Sequence, residues 1–478
     1  MKFNHSVADW RFYSFILLIV AAPLSKYPSI SVPLFNFPSF RIGLYQLLTV
    51  VFVVLCLKPL YSAGIRYFAK DQRYVFSALV IIGILTLTSI AWSLYPARSA
   101  LLGLSVALLV ALVLSAWWYA ASELTTARWQ TILKSMLYAS IFFGIVSLFQ
   151  LAIFSLTDQT LGVLCPGCKP DIFGFPRING LAAEPQFFAN AMLPFVFAAL
   201  YSVIKTPSKL AWSALVSSVL TIGLTFSRGA YFAMVIALFI TLAVLIYKKL
   251  LDIKRLSAII IVGIAAVLAS LALLITAATL RYTDTPNITY ETIDSIYEHI
   301  TLGVVDLPEK TVTNTQTTQS APQNTATNTD DFVSPGLIES SGNERLGAAE
   351  LALSAWRYNP LTIIFGVGIG NLGPFVVENI DATAPENLTV YIYYVLLLSE
   401  LGLVGLGAFV IIVSGALVRL FRTATLAAIC LSGVIIAFTI QFLFFGSYIN
   451  VMYIWLWLGI ALGAPISLKI NKLKIKKV

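Results

Sequence analysis

Four charged residues have the types and the setting for chemistry on an anion. Arg177 and Glu184 stand in Arg177-Ile-Asn-Gly-Leu-Ala-Ala-Glu184-Pro185, Arg228 lies in Ser227-Arg228-Gly229, and Arg345 heads a stretch that ends at Arg357. Arginine is permanently charged and makes forked hydrogen bonds that match phosphate oxygens. A carboxylate can take a proton from a hydroxyl. Each residue also has a plainer alternative. An arginine near a membrane surface can snorkel or pair with a nearby acid, and Glu184 can be a helix N-terminal acid ahead of Pro185 in the first turn. Arg228 fits that alternative least, because it occupies a minimal turn between two apolar runs with no neighbouring acid in sequence. Glu344, Glu350 and Glu386 are further carboxylates that could act as a base; the histidines are His5 and His299 alone. Cys165-Pro-Gly-Cys168 precedes Arg177. In an oxidising compartment it would allow a local disulfide, with a redox role or half of a zinc site as alternatives. Cys56 and Cys430 lie in apolar runs and read as packing residues.

The elements that must position these residues are apolar helices. The chain has 478 residues, 59% hydrophobic and 11% charged, with a mean hydropathy of +0.87. No water-soluble domain needs that much apolar surface, so the class is an all-α polytopic integral membrane protein. The alternation of an outer-membrane barrel is absent. The first apolar segment lacks a clear small-residue cleavage site and reads as the first membrane helix. Apolar runs near 11–25, 42–58, 74–94, 99–119, 131–156, 182–204, 210–226, 229–247, 257–280, 402–420, 424–444 and 449–467 predict about twelve spans. The runs 182–204 and 210–226 form a hairpin with a basic tip at Lys205 and Lys209. Its open end carries Arg177, Glu184 and Arg228, where cations are costly unless something there needs them.

Charge sets the orientation. With the N-terminus inside, 21 of the 31 lysines and arginines fall on inner segments, giving a balance of +17 inside and −8 outside. Both termini are therefore expected in the cytoplasm, and the multi-pass protein in the cytoplasmic (inner) membrane. The basic residues are spread over short segments and form no patch, which argues against a nucleic-acid partner.

Residues 1–280 then carry the first nine spans, 281–386 form a large extracytoplasmic loop before the tenth, and 387–478 hold the remaining spans and a basic tail. Within the loop, 282–307 is expected to contain a short helix. Residues 310–334, almost all Thr, Asn, Gln, Ala and Ser, form a flexible tether. An amphipathic helix is expected over 343–358, with Leu346, Ala349, Leu353 and Trp356 in one stripe. Gly366-Val-Gly-Ile-Gly-Asn371 lacks the preceding strand and the Lys-Ser/Thr of a nucleotide motif, and is expected to be a tight turn near the membrane. Residues 387–399 are short for a span and read as an interfacial helix; one long tilted helix over 387–420 is the alternative.

The motifs, taken in order, resemble a known family. Asn-Gly-Leu-Ala-Ala-Glu-Pro at 179–185, Thr225-Phe-Ser-Arg-Gly229, Arg345 followed by Trp356-Arg-Tyr-Asn-Pro-Leu361, Gly366-Val-Gly-Ile-Gly-Asn371 and Ser399-Glu-Leu-Gly-Leu-Val-Gly405 are similar to the O-antigen ligase and Wzy-type polymerase superfamily. The family-like region covers about 210–408. The resemblance implies a glycosyltransferase of the cell envelope. Its donor would be a polyprenyl-diphosphate-linked glycan, and its acceptor another glycan or a lipid core of lipopolysaccharide. Such a donor is already activated, so no nucleotide, metal or other cofactor is required. Arg177, Arg228 and Arg345 would hold the diphosphate, and Gly229 would let it approach the backbone. Glu184, with Arg345, would carry the catalytic step. Where ligase-like members carry a histidine–asparagine pair, this chain has Tyr391-Ile392. That departure points to polymerisation of repeat units rather than ligation.

A multi-span transporter is the alternative from another class. Coupled carriers usually need ionisable groups near the midplane, whereas 74–94, 99–119, 257–280 and 424–444 contain no Asp, Glu, Lys or Arg. The expected topology is directly testable. A reporter fused after Val478 should behave as cytoplasmic, and one inserted near Thr318 as extracytoplasmic with activity largely intact. The opposite pattern at either site would overturn the orientation.

Overall fold

A computed structural model describes residues 6–24, 29–34, 37–157, 171–172, 175–182, 184–281, 336–446 and 451–475. Long apolar runs separated by short polar turns fold into a helical bundle. Its helices are α1 (Val7–Val20), α2 (Leu44–Thr88), α3 (Pro96–Ser122), α4 (Thr126–Thr157), α5 (Pro185–Lys205), α6 (Lys209–Leu224), α7 (Arg228–Tyr247) and α8 (Ile253–Arg281). After a break in the described chain come α9 (Gly336–Trp356), α10 (Pro360–Phe365), α11 (Leu372–Asn379), α12 (Tyr393–Thr423), α13 (Leu426–Gln441) and α14 (Met452–Ile475). Proline opens α3 and α5, where its missing N–H removes no helical bond. Ser208 and Thr425 cap α6 and α13 by accepting from the amides of Ala211 and Ala428.

Seven helices among the described residues are long and apolar enough to cross a membrane, and α6, α13 and Met452–Ala464 are shorter apolar helices. One of the seven is the continuous stretch Leu44–Ala91, where the sequence predicts a span on either side of a polar turn. Its backbone is not helical throughout: Gly64 (φ 67°) and Gln72 (φ −147°, ψ 78°) interrupt it. The structure also departs from a purely helical chain in two small antiparallel hairpins, β1 (Ser29–Leu34) with β2 (Phe37–Gly43) and β3 (Asp171–Ile172) with β4 (Phe175–Pro176). Both lie in connections between helices, where the chain satisfies its backbone groups locally.

α5 is the centre of the bundle. In its most apolar window 94% of residues are buried, against 22% in α8, so α5 faces protein all round and α8 lies at the periphery. It packs against α4, α6 and α13. α14 presses closely on α3, because Gly459 and Gly463 leave room for the partner backbone. A Cβ at Gly463 would sit 2.3 Å from the Trp117 carbonyl oxygen.

The segment after the break differs from expectation in detail. α9 begins at Gly336, before the predicted 343. Among its described side chains the buried ones are Ala348, Ala349, Ala352 and Ala355, while Leu346 is exposed. Small side chains let α9 lie close to α12, and that closeness decides the packed face rather than the larger leucine. Trp356 donates its indole N–H to the Ile363 carbonyl (3.0 Å) and ties α9 to α10. The predicted tether at 310–334 and short helix at 282–307 lie outside the described residues.

α12 starts at Tyr393 and runs through the predicted interfacial region into the bundle, broken once at Gly402 (φ 66°). The break accepts the glycine run. Val367 and Gly368 donate their amides to the carbonyls of Ser399 (2.9 Å) and Glu400 (3.1 Å). The run is thus a tight turn docked backbone to backbone on α12. Asn371 locks its far end, accepting the Tyr95 amide (2.8 Å) and donating to the Ile369 carbonyl (2.9 Å). A Cβ at Gly402 would fall 2.2 Å from the Ile364 carbonyl oxygen. Gly402→Ala should therefore lose about 2 kcal/mol or more of stability from backbone strain and clash. Gly407→Ala, in the same helix with open space around it, should be neutral or slightly stabilising. Thermal unfolding of the two variants in detergent checks this; equal midpoints would refute it.

Candidate anion site at one end of the bundle

Arg177 is placed by hydrogen bonds to the residues that follow it. Gln150, near the end of α4, clamps the next turn: its Nε2 donates to Asn179 Oδ1 (2.6 Å) and its Oε1 accepts the Gly180 amide (2.9 Å). Asn179 Nδ2 donates to the Ala182 carbonyl (3.3 Å), and the Ile178 amide donates to the Leu224 carbonyl (3.2 Å). Gly180 has φ +55°, and a Cβ there would lie 2.5 Å from the Phe188 ring. The turn thus needs glycine both for its backbone and for its fit on α5. Phe175 stacks on Phe226 (centroids 5.4 Å apart) and joins the segment to the α6–α7 turn.

That turn presents Arg228. Phe226 takes a left-handed backbone (φ 50°), Thr225 Oγ1 donates to the Ile222 carbonyl (2.7 Å), and α7 begins at Arg228. Ser227, the residue before the helix, gives no side-chain cap to its first amides. The positive end of α7 is thus left for another partner. Beside Gly229 the space is filled: a Cβ would meet Phe444 Cβ at 2.7 Å and Gln441 Nε2 at 3.2 Å. Glycine is required there for helix packing. Arg345, in α9, holds its guanidinium 4.6 Å over the Tyr391 ring, a cation–π contact. Tyr391 therefore orients an arginine.

The three arginines and Glu184 come together. Arg177 is half-buried, and its Nε is enclosed without a hydrogen-bond partner among the described residues. Burial pushes its pKa down to about 10; Glu184 works in the other direction, and the charges of Arg345 and Arg228 add to the lowering. The charge of Arg345 also acts on Arg228. Arg177 remains cationic at neutral pH. Glu184 is the residue before α5, with Pro185 in the first turn, and its side chain makes no cap hydrogen bond to that helix. Among the described residues, none of the three arginines has a carboxylate oxygen within 4 Å. The most enclosed arginines at the other end of the bundle behave differently. Arg11 pairs with Glu123 (2.6 Å), Arg128 with Glu123 and Asp9 (3.6 Å each), and Arg419 with Asp71.

Other candidates are not gathered here. Arg357 is exposed and lies over its neighbour Trp356. Glu350 and Glu386 are exposed. His299, Cys165 and Cys168 lie outside the described residues, as do the side chains of Arg281 and Glu344. Among the described residues, no group of three or more histidine, cysteine, aspartate or glutamate side chains is placed to hold a metal.

Several amide side chains close to the site escape a motif-based reading. Besides Gln150, Gln186 in the first turn of α5 donates to the Phe444 carbonyl (2.8 Å). Gln441 and Asn190 are fully buried, and both ends of each amide lack a hydrogen-bond partner among the described residues. Gln441 lies against Gly229, next to Arg228. The signal was present in the sequence: each is an uncharged polar residue inside an apolar run, a placement that is expensive unless used.

No protein-family model matches the chain, and no curated protein matches it either. The site's meaning rests on its geometry. If Arg177 serves an anion rather than the fold, Arg177→Gln should leave the thermal midpoint unchanged or raised, because it removes a buried like charge. The same variant should weaken binding of pyrophosphate to the detergent-solubilised protein at least about tenfold. A lowered midpoint with unchanged pyrophosphate binding, by calorimetry, would show a structural arginine instead.

Proposed function

We propose that the protein is a membrane glycosyltransferase acting on polyprenyl-diphosphate-linked glycans at the extracytoplasmic face, joining repeat units into longer chains. In this reading the chain crosses the inner membrane about twelve times, with α2 contributing a span on either side of its breaks. Both termini are cytoplasmic, and the arginine cluster lies at the outer headgroup level. One observation carries the proposal: the charges of Arg228 and Arg345 act on half-buried Arg177, that of Arg345 acts on Arg228, and none of the three has a carboxylate within ion-pair distance among the described residues. Such an arrangement is stabilised when an anion supplies the missing charge. A diphosphate linking a glycan to a lipid tail offers several phosphate oxygens at that depth. The ordered motifs from 179 to 405 that resemble the ligase and polymerase superfamily support the same substrate class.

The chemistry follows from the residues. An acceptor hydroxyl oxygen attacks the donor's anomeric carbon and forms the new glycosidic bond. The bond from that carbon to the diphosphate oxygen breaks, and its electron pair leaves with the lipid diphosphate. Glu184 takes the hydroxyl proton. Arg177, Arg228 and Arg345 bind the diphosphate and stabilise the charge that grows on it. The positive end of α7 adds to the potential at Arg228. With Tyr391 in place of the ligase-type histidine, polymerisation is preferred to ligation.

Arg228 is the decisive test, because it sits in a turn and contributes little to the core. Arg228→Ala should lower glycan transfer at least about tenfold at normal abundance, the worth of a charge-assisted hydrogen bond. Arg228→Lys should already be impaired, since it keeps the charge and loses the fork. Wild-type transfer by Arg228→Ala would sink the assignment. Electrophoresis of the surface glycan after gene deletion separates the two branches of the family. Single units without long chains mean a polymerase; complete lipid-linked chains that accumulate mean a ligase.

A further inference from the structure

The end of the bundle away from the arginine cluster holds a recess of about 870 Å³ between residues 69–75 of α2 and residues 411–423 of α12. It exists because α2 is interrupted. Gly64 and Gln72 leave helical geometry, so the chain between them is a short piece flanked by two longer apolar ones. Gly415 lets α12 come close at the inner edge: a Cβ there would meet Val75 Cγ2 at 2.2 Å.

The recess is lined by Lys70, Arg73, Arg419 and Arg422, with Asp71 as its one acid. Asp71 is already engaged. It is ion-paired with Arg419 and accepts the indole N–H of Trp117 (3.2 Å). Lys70, Arg73 and Arg422 have no ion pair among the described residues, and Gln72, which also lines the recess, keeps an enclosed Oε1 with no donor. The walls are mixed. Ile411 and Val418 expose apolar surface on the bundle's flank, and Tyr74 stands beside them with most of its ring uncovered. A cationic floor that opens sideways onto apolar helix surface suits a ligand with a phosphate at one end and hydrocarbon at the other. A free anion would use only half of it.

We propose that this recess binds an anionic phospholipid, its phosphate between Lys70, Arg73 and Arg422 and its acyl chain along Ile411 and Val418. The proposal does not depend on the transferase reading, because it uses none of those residues. Native mass spectrometry of the full chain in detergent, titrated with phosphatidylglycerol or with phosphatidylcholine of the same chains, tests it. The expected result is anionic-lipid adducts at about tenfold lower concentration than zwitterionic ones. Arg73→Gln with Arg422→Gln, both exposed residues, should abolish that preference. Lys205→Gln with Lys209→Gln, two exposed cations at the same end but outside the recess, should leave it intact. Equal adducts for the two lipids in the unaltered protein would overturn the site. So would an equal loss in both double variants, which would mean diffuse surface charge. Displacement of the lipid by glycerol phosphate at matched concentration would assign the recess to free anions instead.

Discussion

The mutual repulsion of Arg177, Arg228 and Arg345 is the constraint on which this end of the bundle depends. Like charges in an enclosed setting oppose folding through desolvation and mutual repulsion. Glu184 offsets this only in part, since Arg177 stays below its ordinary pKa despite that neighbour. At the opposite end the most enclosed arginines, Arg11, Arg128 and Arg419, each have a carboxylate within reach, whereas the exposed Arg73 and Arg422 have none among the described residues. The half-buried Arg177 thus differs from the comparably enclosed arginines of the other end in having no carboxylate partner among the described residues.

Neutral groups hold the cluster in place. Gln150 clamps the Asn179–Gly180 turn with both ends of its amide, Tyr391 supports Arg345 with its ring face, and the left-handed Phe226 turns the chain so that α7 can open at Arg228. None of these neutralises a positive charge. The field at the site is therefore kept positive while the side chains are fixed, which is the arrangement a preorganised anion site requires. Glycine contributes at a different level. Gly366 and Gly402 let the turn after α10 lie on the backbone of α12, and this anchors the segment that follows α9.

Buried amides complete the picture near α5. Asn190 and Gln441 carry donors and acceptors into a part of the bundle that is otherwise apolar, and Tyr453 lies beside Asn190. Unpaired polar atoms at that depth cost about 1–3 kcal/mol each. Asn190 lies on α5, the helix that leads away from Glu184, and Gln441 beside Gly229.

Composition and periodicity by themselves determined the helical membrane class and the positions of most helices, because length and hydropathy of each run are local properties. The same local logic marked Arg177, Glu184, Arg228 and Arg345 as charges that the apolar setting does not explain. Tertiary structure alone decided that these four, spread over 169 positions of sequence, share one site. Proximity between distant segments depends on packing that no single stretch encodes. It also decided the roles of smaller residues. Gly229 makes room for Phe444 and Gln441, and alanines rather than Leu346 seat α9. In both cases the identity of the partner surface sets the meaning of the residue, and that surface comes from another part of the chain. The break of α2 at Gly64 and Gln72 belongs to the same class, because the recess it opens exists only once α12 has packed against it.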